Sequence, residues 1–190
     1  MQKKFLKHLV SISKEFAKNH KIFDIILYGS IIKGKLNAND IDILIIFENE
    51  VLKKRTEISQ ELKEIFKRQF KTDIKTINLK EIFEMEFLAR QGILTTGYSL
   101  LHNEEFAKRM GFKGFSIFTY NLKNMNHTEK TKFTYALIGR RDQNGIIKQI
   151  NAIHLGKGVV KVPIKESILF EEFLSEWKIN YNKKEILEAE

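Results

Sequence analysis

Three carboxylates and one glycine-serine turn carry most of the chemistry available to this sequence. Tyr28-Gly29-Ser30 closes an apolar run, and Asp40-Ile41-Asp42 opens another run nine residues later. On a strand, residues i and i+2 face the same side about 6–7 Å apart, so Asp40 and Asp42 share a face with Leu44 and Ile46. Ile41, Ile43 and Ile45 face the other way. Two acids at one end of a hydrophobic strand are costly unless a cation or solvent meets them. Hard divalent cations take such oxygen ligands, and Mg²⁺ completes its shell with water and phosphate oxygens. Two such ions about 3.5–4 Å apart can clamp both the attacking and the leaving oxygen of a phosphoryl displacement. Asp73, within Lys71-Thr72-Asp73-Ile74-Lys75, stands in the next candidate strand and can complete a triad. Gly29 permits a tight turn, while the Ser30 hydroxyl and the free amides of a helix start behind it can hold a phosphate. Lys33 and Lys35 follow and can neutralise a triphosphate.

Each feature alone has a bland reading. Asp-x-Asp occurs by chance and at helix caps, a Gly-Ser turn alone means nothing, and an acid near a strand end is often simply exposed. The ordered combination is far more specific than its parts.

The elements that must position these groups are readable as periodicity. Phe5, Leu6, Leu9, Ile12 and Phe16 recur at helical spacing over residues 3–19. Strands are expected at 23–28, 40–47 and 71–77, with a helix over 54–69 between the last two. A third helix is predicted over 79–90, and residues 93–101 continue helically or as a short strand. Punctuation near residues 102–114 suggests a boundary, giving expected domains 1–103 and 104–190. Beyond it the pattern predicts a strand over 115–120 and a helix from Asn126 or Thr128 to Gly139. A hairpin follows, 146–154 and 159–162, turning through Gly156-Lys157-Gly158. A final amphipathic helix carries Ile168 to Trp177. Strand-helix alternation in the first half and mixed order in the second imply an α+β protein in two parts.

Composition narrows the function classes. Apolar residues make up 43% of 190, enough for a buried core, and no run of about 18 apolar residues suggests a membrane span. No signal-peptide pattern follows the basic N-terminus, and the absence of cysteine fits a reducing cytoplasm. The five histidines are scattered, which disfavours zinc. The net charge of +9 is uneven: residues 108–165 hold 12 Lys and Arg against only Glu129 and Asp142. Such a local excess points to a polyanion partner, or else to a solvated lysine-rich surface.

Gly29-Ser30-Ile31-Ile32-Lys33-Gly34 and Asn39-Asp40-Ile41-Asp42-Ile43 resemble the signature of the DNA polymerase β-like nucleotidyltransferase superfamily. They look most like its small stand-alone "minimal" nucleotidyltransferases, and Ile93 to Leu101 resembles the stretch that closes that domain. The resemblance covers about residues 1–103. It implies a mixed sheet flanked by helices, followed here by a smaller basic α+β part without a counterpart in those proteins. It also implies Mg²⁺ (two ions, with Mn²⁺ an alternative) on Asp40, Asp42 and Asp73, and a nucleoside triphosphate bound near Gly29, Ser30 and Lys33. Lys33 stands where arginine is usual and lacks its bidentate fork.

The implied reaction moves a nucleoside monophosphate to an acceptor hydroxyl and releases pyrophosphate. An RNA 3′ end such as that of tRNA, preferred over DNA, fits the basic second half. A protein hydroxyl, as in antitoxins that adenylylate a partner toxin, fits the first half. A polycationic small molecule fits poorly. A degenerate site serving a nucleic-acid-binding regulatory module is the further alternative. Arg140 and Arg141, after the helix-ending Gly139, are the most suggestive basic pair. Lys157, in the Gly156-Lys157-Gly158 turn, is a further candidate phosphate contact, although a plain hairpin turn is the preferred reading of that segment. Phe118, Phe133, Phe173 and Trp177 are expected to be core rather than stacking platforms.

Overall fold

The computed structural model describes residues 3–29, 31–32, 40–67 and 70–190. The chain folds as two compact units, Met1–Phe112 and Lys113–Glu190.

The first unit runs α1 (Lys3–Ala17), β1 (Ile22–Tyr28), β2 (Ile41–Phe47), α2 (Leu52–Lys67), β3 (Thr72–Asn78), a 3₁₀ turn (Leu79–Phe83), α3 (Arg90–Thr96), β4 (Tyr98–Ser99), β5 (Glu104–Glu105) and α4 (Phe106–Arg109). Its five strands form one mixed sheet, ordered β3-β2-β1-β4-β5. Strands β2 and β3 are parallel, so a crossover must join them, and α2 supplies it. β1 pairs antiparallel with β2 and with β4.

The period-2 pattern sorts the strands onto two cores. Ile25, Leu27, Ile41, Ile43, Ile45 and Phe47 face one way, with Leu9 and Phe16 of α1 and Ile58, Leu62 and Phe66 of α2 in the same buried cluster. Ile26, Leu44, Ile46 and Ile77 face the other way and share a second cluster with Ile82, Ile93 and Phe106. The expected helix over 79–90 is not formed. A 3₁₀ turn and irregular chain precede α3, because long-range contacts hold this segment: the Asn78 side chain accepts from the Glu50 amide at 2.7 Å, and Arg55 pairs with Glu81 at 2.8 Å.

The second unit continues with β6 (Phe112–Tyr120), α5 (His127–Ile138), β7 (Gly139–Arg140), β8 (Gln143–Asn144), α6 (Ile146–Gln149), β9 (Ile153–Gly156), β10 (Val159–Pro163), a 3₁₀ turn (Ile164–Glu166), α7 (Ser167–Glu176) and β11 (Tyr181–Ala189). One sheet is ordered β11-β6-β10-β9, and β7 and β8 form a small hairpin. Asn126 caps α5 by accepting from the Glu129 amide at 3.0 Å, while the Glu129 carboxylate accepts from the Asn126 amide at 2.8 Å. Phe118, Phe133 and Phe170 are fully buried in its core. The strand expected over 146–154 is a short helix followed by a shorter strand, and β11 has no counterpart in the sequence pattern.

Candidate nucleotidyl-transfer site

Register places the acids. Tyr28 of β1 is the register partner of Asp42 on β2, and Asp42 is the partner of Asp73 on β3. Partners across a sheet share a face, with neighbouring strands about 4.8 Å apart, so Tyr28, Asp42 and Asp73 form one row. The next row is Ile26, Leu44 and Lys75, followed by Asp24, Ile46 and Ile77. The polar row therefore ends an apolar face that runs down into the second core.

Electrostatics follow from this placement. Burial raises the Asp42 carboxyl above the ordinary range, Asp73 and Asp40 add to the rise, and Lys75 opposes it. Burial pushes the Tyr28 phenol up to about 12, with Asp42 and Asp73 adding to it. Lys71 Nζ lies 2.9 Å from Asp40 Oδ1 and 3.2 Å from Oδ2, and only the second contact is directed as a hydrogen bond. Oδ1 is closed off from solvent and has no hydrogen-bond donor among the described residues.

Gly29 has a φ of +81°, which glycine adopts without strain. A Cβ there would run into Asp42 Oδ2, so the glycine lets the backbone turn lie directly against the carboxylate. Ile31 and Ile32 turn back onto the first core. Ser30 and Lys33, assigned to phosphate from the sequence, lie outside the described residues.

The donor chemistry suits a hard divalent cation: Asp40 Oδ1, shielded from solvent and met by the Lys71 ammonium at 2.9 Å without a directed hydrogen bond, lies near an Asp42 carboxyl raised by burial and by two like charges. Asp40, Asp42 and Asp73 are the residues that would hold it. As placed, they are not a closed ligand set, for no group of three His, Cys, Asp or Glu among the described residues is arranged to hold a metal ion. Lys71 and Lys75 supply the positive charge on this face. Neither lysine has a role in the sequence motif. Their signal was their spacing, which flanks Asp73 at i−2 and i+2 and so puts them on its face of β3.

A buried ion pair lies two rows away. Asp24 is fully buried, accepts from the Ser99 hydroxyl at 2.8 Å and from the Ile25 amide at 2.8 Å, and pairs with Arg109 of α4. Arg109 also lies over the Phe23 ring at 5.4 Å. This network ties α4 to β1 and is structural.

In the second unit, Arg140 sits in β7 with its guanidinium 4.7 Å from the Tyr135 ring centre. Arg141 follows at a left-handed φ of 52°. Lys157 occupies the β9–β10 turn and lines a groove that neither arginine lines. The linear charge excess is also offset in space: Lys113 pairs with Glu190 at 2.8 Å, and Lys161 with Glu188 at 2.7 Å.

Residues 11–105, half of the chain, match the family described as Polymerase beta, Nucleotidyltransferase. The chain belongs to that family and is by class a nucleotidyltransferase. Among solved structures, a toxin–antitoxin complex with AMP-PNP is 23% identical, with 48% of this chain and 71% of that chain covered and a TM-score of 0.37. A tri-AMPylated HEPN toxin with its MNT antitoxin, from Shewanella oneidensis, is 20% identical over 58% and 79% of the two chains, with a TM-score of 0.36. No curated protein matches the chain. Among the described residues, no helix is long and apolar enough to cross a membrane.

Proposed function

We propose that this chain transfers a nucleoside monophosphate from a nucleoside triphosphate to an acceptor hydroxyl, and that the acceptor is the 3′ end of an RNA. The observation that carries the chemistry is the register pair Asp42–Asp73, with Gly29 packed against Asp42. The acceptor oxygen forms a bond to the α-phosphorus. The bond from that phosphorus to the α,β-bridging oxygen breaks, and pyrophosphate leaves with the electron pair. The hydroxyl proton passes to the Asp73 carboxylate, which stands exposed on an edge strand where an acceptor can approach. Asp40, Asp42 and Asp73 would hold Mg²⁺, and the ion would offset the charge that develops on the attacking and leaving oxygens. Gly29 lets the turn pack against Asp42, and Ser30 and Lys33 bind the outer phosphates of the triphosphate. Lys71 and Lys75 balance the acids while no nucleotide is bound.

A protein hydroxyl is the second reading. It is favoured by Phe83, Met85 and Leu88, exposed at 73%, 83% and 90% on the first unit, since large apolar groups so open to water mark protein contacts. Incubation with each labelled nucleoside triphosphate, Mg²⁺, total RNA and lysate protein separates the two. Label in RNA supports the first reading, label confined to protein replaces it with the second, and label in neither overturns transfer itself.

A further inference from the structure

One cation of the chain itself meets the acids of the first unit. Lys71 Nζ lies 2.9 Å from Asp40 Oδ1 and 3.2 Å from Oδ2. The backbone sets up this contact. Ile41 and Thr72 are the first register pair of β2 with β3, and the Ile41 amide donates to the Lys71 carbonyl at 2.9 Å. Asp40 and Lys71 each precede that pair by one residue, so they stand opposite each other where the two strands begin. β3 is an edge strand, with no neighbour beyond it in the sheet, so a long side chain at its start has open space into which to swing.

Lys71 and Lys75 flank Asp73 on the same face but differ in what they touch. Lys75 reaches Asp42 only through its field. Lys71 covers the edge of the Asp40 carboxylate, whose Oδ1 is closed off from solvent although 41% of the side chain is exposed. This is not the permanent contact that Arg109 makes to buried Asp24. The Lys71 side chain is 77% exposed, and ion pairs so open to water are weakly held. The lysine satisfies Asp40 without locking it.

A divalent cation needs the same carboxylate edge. Mg²⁺ takes an oxygen ligand at about 2.0–2.1 Å, and an ammonium lying against both Asp40 oxygens obstructs that approach and repels the incoming charge. We infer that Lys71 is a displaceable stand-in for the divalent cation: it neutralises Asp40 in the absence of the ion, yields that carboxylate to it, and turns to the outer oxygens of the triphosphate. The inference rests on the transfer reading above and adds a coupling to it. The cation takes Asp40 and frees the ammonium, whereas a polyphosphate takes the ammonium and frees Asp40. Each ligand therefore prepares the site for the other, and by linkage the gain is reciprocal.

The test reads binding rather than transfer, on the full chain. Mn²⁺ alone is titrated with the free ion followed by electron paramagnetic resonance. Inorganic tripolyphosphate alone is titrated by calorimetry in chelator. Lys71→Met keeps the apolar stem and removes the charge. It should bind Mn²⁺ about 5-fold more tightly than wild type, since neither the ion pair nor the repulsion remains. It should bind tripolyphosphate about 10-fold more weakly, through loss of a charged donor. Opposite shifts in one variant are not what a merely structural lysine gives. Lys75→Met, which loses only a field, should tighten Mn²⁺ less than Lys71→Met. In an Asp40→Asn background, Lys71→Met should no longer tighten Mn²⁺. Circular dichroism checks that each variant is folded. Mn²⁺ affinity unchanged or weakened in Lys71→Met, an equal gain in Lys75→Met, a gain that persists in Asp40→Asn, or unchanged tripolyphosphate binding would each overturn the inference and leave the transfer reading standing. No Mn²⁺ bound by wild type or by Lys71→Met would overturn the metal assignment of that reading, and this inference with it.

Discussion

The two units treat charge in opposite ways. In the second, cations and anions far apart in sequence meet across the sheet: Lys161 on β10 reaches over the Phe115 ring, 4.6 Å away, to Glu188 on β11. In the first, like charges are gathered: Asp42 and Asp73 are register partners with Asp40 beside them, and their mutual repulsion is left in place. A fold selected for stability alone would separate such acids or pair them. Repulsion retained at the end of an apolar face marks the place where an external cation is expected. Asp24 makes the contrast within one sheet face, because its burial is matched by Arg109, Ser99 and a backbone amide.

The largest expected effect tests that internal contrast. Arg109→Ala leaves Asp24 buried and unpaired, and should cost about 3–5 kcal/mol in denaturant unfolding. Lys113→Ala, at the exposed pair with Glu190, should leave the unfolding midpoint almost unchanged. Equal effects would erase the distinction between structural and solvent-exposed pairs.

Gly29→Ala comes next. The left-handed backbone alone should cost about 1–2 kcal/mol, and the new Cβ must also displace the Asp42 carboxylate. Transfer is expected to fall by more than this stability loss explains, as read by comparing activity with folded fraction. A drop in activity that only tracks unfolding would leave Gly29 a turn residue and nothing more.

The acid row also predicts a pH dependence. The folded Asp42 carboxyl holds its proton to higher pH than the unfolded one, so folding takes up a proton between the two values. In chelator, stability should therefore fall as pH rises from the ordinary carboxylate value through the raised one. Asp42→Asn should flatten that part of the profile and raise the midpoint above it. An unchanged profile in Asp42→Asn would mean that folding does not raise the Asp42 carboxyl.

The smallest effect concerns Arg140 and Arg141. Replacing both with alanine should weaken RNA binding about equally across sequences and flatten the salt slope by about 1–2 units. Unchanged slope would remove the pair from the nucleic-acid surface.

Much of this was legible in the sequence because period alone dictates it. The alternation in Ile41 to Phe47 put Asp42, Leu44 and Ile46 on one face, and the structure sorts them so. The aromatics Phe118 and Phe133 read as core and are buried. What failed depended on long-range partners. The segment after Asn78 has a helical pattern, but its Glu50 and Arg55 contacts set its backbone instead. β11 is rich in Lys and Glu, and its strand character comes from pairing in the sheet beside β6. That same strand returns the acids which make a linear charge count misleading: the second unit holds 13 Lys and Arg against 9 Asp and Glu, a net of +4. The register that puts Asp42 beside Asp73 also needed the parallel pairing of β2 with β3, which local pattern cannot supply.

The central claim is that the Asp42–Asp73 row is the catalytic centre of nucleotide transfer. The most direct measurement is transfer of label from α-³²P nucleoside triphosphates across a Mg²⁺ titration, in wild type, Asp42→Asn, Asp73→Asn and the double variant Asp40→Asn/Asp42→Asn. The account predicts Mg²⁺-dependent label transfer in wild type and a loss of at least about 10²-fold in each variant, all remaining folded. Full Mg²⁺-dependent transfer by the folded double variant would contradict it.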